Sequence, residues 1–209
     1  ARLDAALTGC SNIMAMAVRE DTVYLAADGA CVLACSLDGI LLWKQEAPAI
    51  DRFFSAQDGR LLAWARQEQV LYLLEDGVIR RLCAMPDLFC TGIEQLYPGD
   101  QTPYDCIVCA NDAFFGWSID AEAVTQLFTC DAVGLYAGDI LDFCSLGNDR
   151  YLGLEWAPSA SGEPGCTLFW LTPVEGKIPE KRTIRVAGSR SSIFSVAVRD
   201  FSSLYPEYQ

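Results

Sequence analysis

TVYLAADGACVLACSLDGILLWKQE, residues 22–46, is the stretch whose reading decides the fold. Apolar runs at 23–27, 30–35 and 40–43 are separated by Asp28-Gly29 and Asp38-Gly39. Asp-Gly between apolar runs signals a tight hairpin, because glycine takes the positive φ that such turns need. Three antiparallel strands in so few residues make a meander. A lone meander leaves its faces half covered, so neighbours of the same kind are required.

The unit recurs. With the apolar run NIMAMAVR at 12–19 as its innermost strand, the first set is 12–19, 22–27, 30–37 and 40–46. A second set follows at 51–56, 60–66, 70–75 and 78–84, and its last Asp-Gly, Asp76-Gly77, stands 38 residues after Asp38-Gly39. Looser copies are read at 89–97, 104–110, 114–118 and 124–130, and then at 140–146, 151–157 and 166–172, with 183–187 as an outer strand. Self-similarity at about 40 residues with four short strands per period predicts a β-propeller. The expected class is all-β, a propeller-like array of about four four-stranded antiparallel blades over residues 1–176 (12–47, 49–86, 88–131 and 132–176). A short strand–loop–helix tail at 177–209 follows. A β-sandwich of similar strand number is the competing architecture; the Asp-Gly period and the lack of long crossovers favour the propeller. Four blades make a small ring, so blades preceding Ala1 or a second copy of the chain, as a homodimer, are expected to complete it. Trp43, Trp64, Trp117, Trp156 and Trp170 hold no fixed position in the repeat and read as core packing.

Charge and composition narrow the chemistry. The chain carries 15 Lys and Arg against 28 Asp and Glu, a net charge of −13. Residues 1–176 hold 9 basic and 25 acidic side chains, whereas residues 177–209 hold 6 and 3. A body this acidic argues against nucleic acid, whose phosphates demand clustered Lys and Arg. No run of apolar residues is long enough to span a membrane. There is no histidine, which removes the commonest general base and the usual zinc ligand. Asp139 and Asp142 stand three apart and Glu155 is alone in an apolar run, so they read as turn or edge residues. No catalytic residue, metal ligand or cofactor is assigned.

Ten cysteines are read mainly as small buried apolar residues. Cys106-Ile-Val-Cys109 has metal-site spacing but lies in a strand, where i and i+3 point to opposite faces. Cys31 and Cys35 share a strand face about 13 Å apart, too far for a disulfide.

Two resemblances add to this reading. SLDGILLWKQEAP, residues 36–48, preceded by VYLAADGACVLAC, resembles the repeat of the pyrroloquinoline-quinone-type propellers, in which Asp and Gly lead into an apolar strand ending in Trp. The second unit has Arg81 where the tryptophan would fall. This resemblance implies fold rather than dehydrogenase activity. The tail KRTIRVAGSRSSIFSVAVRDFSSLYPEYQ, residues 181–209, is similar to the start of mature extracellular solute-binding proteins of ABC importers: a TIRVAG strand, a polar loop, and a helix ending in Phe201…Tyr205-Pro206-Glu207-Tyr208. That resemblance implies an accessory propeller on a cell-surface lipoprotein outside the cytoplasm. Loop residues Ser189, Arg190, Ser191 and Ser192 would then lie where open α/β sheets bind ligands. The alternative is that 183–187 closes the fourth blade and the helix caps it.

The function expected is therefore a non-enzymatic extracytoplasmic binding protein for a small solute or glycan. The alternatives are a propeller scaffold for a partner protein and, less favoured, a propeller enzyme.

Overall fold

The structure is a computed structural model that describes residues 10–29, 31–75, 77–89, 93, 95–156 and 165–173. Four antiparallel meanders follow one another along the chain. The first blade is β1 (Ile13–Arg19), β2 (Thr22–Ala27), β3 (Cys31–Ser36) and β4 (Leu41–Glu46). The second is β5 (Arg52–Ser55), β6 (Leu61–Ala65), β7 (Val70–Glu75) and β8 (Val78–Ala84). The third is β9 (Gln95–Pro98), β10 (Cys106–Ala110), β11 (Ala113–Ser118) and β12 (Ala123–Thr129). The fourth, three-stranded among the described residues, is β13 (Ile140–Gly147), β14 (Arg150–Trp156) and β15 (Cys166–Leu171). In every sheet, sequence neighbours are hydrogen-bonded neighbours. The molecule is an all-β propeller array of four blades, as the repeat predicts.

The turns show why Asp-Gly punctuates the chain. At Asp28-Gly29 both residues have positive φ, 52° and 66°, in the loop between the paired residues Ala27 and Cys31. Asp38-Gly39 closes differently. The Gly39 amide donates to the Ser36 carbonyl and the Ser36 amide to the Ile40 carbonyl, both at 2.9 Å, with φ positive at Gly39. Asp58-Gly59 repeats this three-residue loop between Ala56 and Arg60. One dipeptide thus serves two turn geometries: both of its residues take the left-handed region at 28–29, and only the glycine does at 38–39.

Consecutive residues of the central strands enter different cores. Along β6, Leu62 and Trp64 join the layer shared with the third blade, while Leu61, Ala63 and Ala65 join the layer shared with the first. Along β10, Cys106, Val108 and Ala110 face the second blade, and Ile107 and Cys109 face the fourth. The continuous apolar runs LLAWA and CIVCA are therefore strands buried on both faces. Each fully buried Leu, Val or Phe in such a layer contributes about 1.5–3 kcal/mol. Aromatic rings fill the layer between the third and fourth blades. Phe114 and Phe143 lie 4.5 Å apart between centroids, and Phe143 stacks on Tyr151 at 5.2 Å.

The first strands lie side by side, β1 against β5, β5 against β9 and β9 against β13. Among the described residues β13 makes no comparable contact with β1.

Most expected boundaries shift by one or two residues, and two of the differences have a local cause. The expected strand 89–97 is shorter: Pro86 leads into a 3₁₀ turn, Asp87–Phe89, closed by the Phe89 amide on the Pro86 carbonyl, and pairing begins at Gln95. Phe89 instead packs edge-on against Phe115, 5.3 Å between centroids. Cys130 is not a strand residue but begins the helical turn Cys130–Val133, ended by Gly134 at φ 73°. The expected outer strand 183–187 and the whole tail lie outside the described residues.

Candidate functional site

A cleft of about 330 Å³ opens between the first two blades, lined by Arg19, Glu20, Thr22, Tyr24, Asp58, Arg60, Leu73, Leu74 and Glu75. Three pieces of chain build it. The β1–β2 turn supplies Arg19 and Glu20, with Glu20 held at φ 53°. The three-residue loop at Asp58-Gly59 supplies Asp58 and Arg60. The end of β7 supplies Leu73, Leu74 and Glu75.

Within the cleft some charges are already engaged. The Arg60 guanidinium pairs with Asp58 through Nε and reaches Asp120 of the third blade through Nη2 at 2.7 Å. The Asp58 carboxylate also accepts the Arg60 amide at 2.9 Å. That backbone bond, and then the guanidinium, hold Asp58 below the usual carboxylate range. The hydrogen bond to Asp120, followed by that to Asp58, raises Arg60 above the usual guanidinium value. Glu75 pairs with Arg80 at 2.8 Å. Arg19 and Glu20 make no ion pair among the described residues. Tyr24 rests edge-on against Trp43, 6.2 Å between centroids, which fixes its ring from behind. The cleft thus offers donors and acceptors together beside one aromatic ring.

Asp139 lies in the 3₁₀ turn Ala137–Asp139, and Asp142 on β13 pairs with Arg52. Glu155 sits on β14 opposite Ile140 and Thr167. Cys106 and Cys109, both fully buried, belong to different core layers. Of the nine described cysteines, Cys31, Cys35, Cys106, Cys109 and Cys130 are buried, while Cys144 and Cys166 are exposed. Ser189, Arg190, Ser191 and Ser192 lie outside the described residues. Sequence reasoning missed the cleft because its walls are turns of different repeats. The signal available was the shared polar composition of the turns at 19–21 and 57–60.

No protein-family model and no curated protein matches the chain. Among solved structures, the chain is similar to the extracellular domain of a hybrid two-component system from B. thetaiotaomicron, at TM-score 0.50 and 11% identity, covering 80% of this chain and 21% of that one. It is also similar to a streptogramin B lyase, at TM-score 0.53 and 8% identity, covering 78% of this chain and 55% of that one. The chain spans about a fifth of the first and little more than half of the second. At these identities the likeness is one of fold. No helix among the described residues is long and apolar enough to cross a membrane.

Proposed function

We propose that this chain is a non-enzymatic, extracytoplasmic binding module whose cleft between the first two blades takes a neutral, hydroxyl-rich solute such as a sugar. The cleft's chemistry carries the reading. Carboxylates of Glu20, Asp58 and Glu75 accept hydrogen bonds, the guanidinium of Arg19 donates them, and the volume of about 330 Å³ suits a small ligand. A sugar hydroxyl donates and accepts at once, so it satisfies such a mixed wall without bringing charge. A phosphorylated or polyanionic ligand meets three carboxylates here and a net charge of −13 overall. The similarity in fold of this chain to a solved extracellular domain is in keeping with that compartment.

The wider form of the proposal makes the module the accessory part of an ABC-importer solute-binding lipoprotein. Its support is the sequence similarity at 181–209, with Ser189, Arg190, Ser191 and Ser192 as its candidate contacts. A thermal-shift panel of mono- and oligosaccharides separates the two forms. Stabilisation lost in Arg19→Ala assigns binding to the cleft; stabilisation lost in Ser191→Ala with Ser192→Ala assigns it to the tail. A ligand present at a hundred times its Kd stabilises by about 2.7 kcal/mol, a readily measured shift. A flat response across the panel overturns the sugar reading.

A second reading, a scaffold, is favoured by the outer face of the fourth blade. There Leu168 and Trp170 are 61% and 67% exposed, beside half-buried Leu152 and Leu154. A second copy completing the ring, or a partner protein, would cover this face.

A further inference from the structure

The first blade brings two thiols together. Cys10 Sγ and Cys31 Sγ lie 4.0 Å apart, and the Cys31 thiol also donates to the Ala27 carbonyl at 3.4 Å. Cys31 opens β3, directly beyond the Asp28-Gly29 turn, and Cys10 precedes β1. The backbone between them is tied down. The Asp28 carboxylate accepts the Ser11 amide at 3.0 Å and the Asn12 amide at 2.9 Å, and the Asp28 amide donates to the Asn12 carbonyl at 2.9 Å. These bonds strap the lead-in segment to the turn that carries Cys31. Both sulfurs therefore sit beside hydrogen-bonded backbone at one end of the first sheet.

We propose that Cys10 and Cys31 form a disulfide that locks the segment before β1 onto the first blade. A disulfide needs about 2.05 Å between sulfurs, and rotation about χ1 of the half-buried Cys10 supplies the approach. The oxidant is a small disulfide of the glutathione class. The Cys10 thiolate, the more accessible of the two, attacks one sulfur of oxidised glutathione and releases one glutathione thiolate. The Cys31 thiolate then attacks Cys10 Sγ and expels the second. Two protein thiols lose two protons and two electrons, and one glutathione disulfide becomes two thiols. Burial, and then the neighbouring Cys10 thiol, raise the Cys31 thiol above its ordinary range, which suits it to the second step rather than the first.

The test uses the reduced full chain, exposed to oxidised glutathione, quenched with an alkylating maleimide and read by intact mass and peptide mapping. The expected product has two fewer alkylated thiols and one linked peptide pair joining Cys10 to Cys31. Its Tm rises by about 5–10 °C, and a dithiol reductant reverses the rise. In Cys10→Ser both the linked pair and the rise disappear. The proposal is overturned if no thiol is lost, if Cys10 retains glutathione while Cys31 stays alkylatable, if another pair links, or if Cys10→Ser keeps the rise.

Discussion

Arg52 on β5 and Asp142 on β13 form an ion pair of 3.1 Å that joins the inner strands of the second and fourth blades. The guanidinium crosses over the third blade on its way, 5.2 Å from the ring centroid of Tyr97 on β9. Three consecutive blades are thus held at their inner edges by one side chain. Both ends of the pair are partly exposed, so the charge contribution is small, about 0–1 kcal/mol, and the stacking adds about 0.5–1 kcal/mol. Asp142→Ala is expected to cost less than Arg52→Ala, which also uncovers Tyr97. Urea unfolding at low and high salt checks this. Only the Asp142-dependent part shrinks as salt rises.

Two glycines stand beneath aromatic rings. A Cβ at Gly153 on β14 collides with the ring of Phe169, its cross-strand partner, and a Cβ at Gly116 on β11 collides with the ring of Tyr104. Gly153→Ala and Gly116→Ala are each expected to destabilise by about 1–3 kcal/mol through overpacking. Because the cost arises from one contact, Gly153→Ala in a Phe169→Ala background should cost markedly less than in the parent chain. Thermal melts of the double-mutant cycle measure the difference.

Acid sensitivity follows from two turn carboxylates. The amides of Asn12 and Ser11 hold Asp28 below its ordinary value of 3.8, and the Arg60 amide does the same for Asp58. A carboxyl depressed in the folded state contributes stability that is present above its unfolded value and is lost as pH falls through the folded one. Asp28→Ala and Asp58→Ala should therefore lower the urea midpoint at pH 7, with the difference from the parent fading below about pH 4. A difference that persists undiminished at low pH would show that the side chains act through packing instead.

The outer face of the fourth blade governs self-association if it is an assembly surface. Leu168→Glu and Trp170→Glu place charge at positions already 61% and 67% exposed, so the fold should melt within about 0.5 kcal/mol of the parent. Light scattering across a concentration series is expected to show a larger species for the parent chain and a monomer for the variants. A monomeric parent at every concentration removes the scaffold reading and leaves the cleft untouched.

The strands and their order were legible because their determinants are local. Short apolar runs and Asp-Gly turns act within ten residues, and positive φ at Gly29, Gly39 and Gly59 shows the turns doing so. The strand expected at 89–97 failed where Pro86 turned the chain into a 3₁₀ turn that composition did not reveal.

What the sequence determined by itself is the repeating meander: the order of its strands and the positions of its Asp-Gly turns. Tertiary structure alone decided which layer each residue enters. Trp64 of β6 and Trp117 of β11 stand at different places in their repeats, yet meet in one core between the second and third blades. It also decided the cleft, whose Arg19 and Glu20 come from one blade and whose Asp58, Arg60 and Glu75 come from the next. The same holds for the Cys10–Cys31 pair, 21 residues apart, and for Arg52 and Asp142, 90 apart. The reason is range: turn chemistry and pleat are encoded in neighbouring residues, whereas contacts between blades depend on how twisted sheets stack, which no local pattern records.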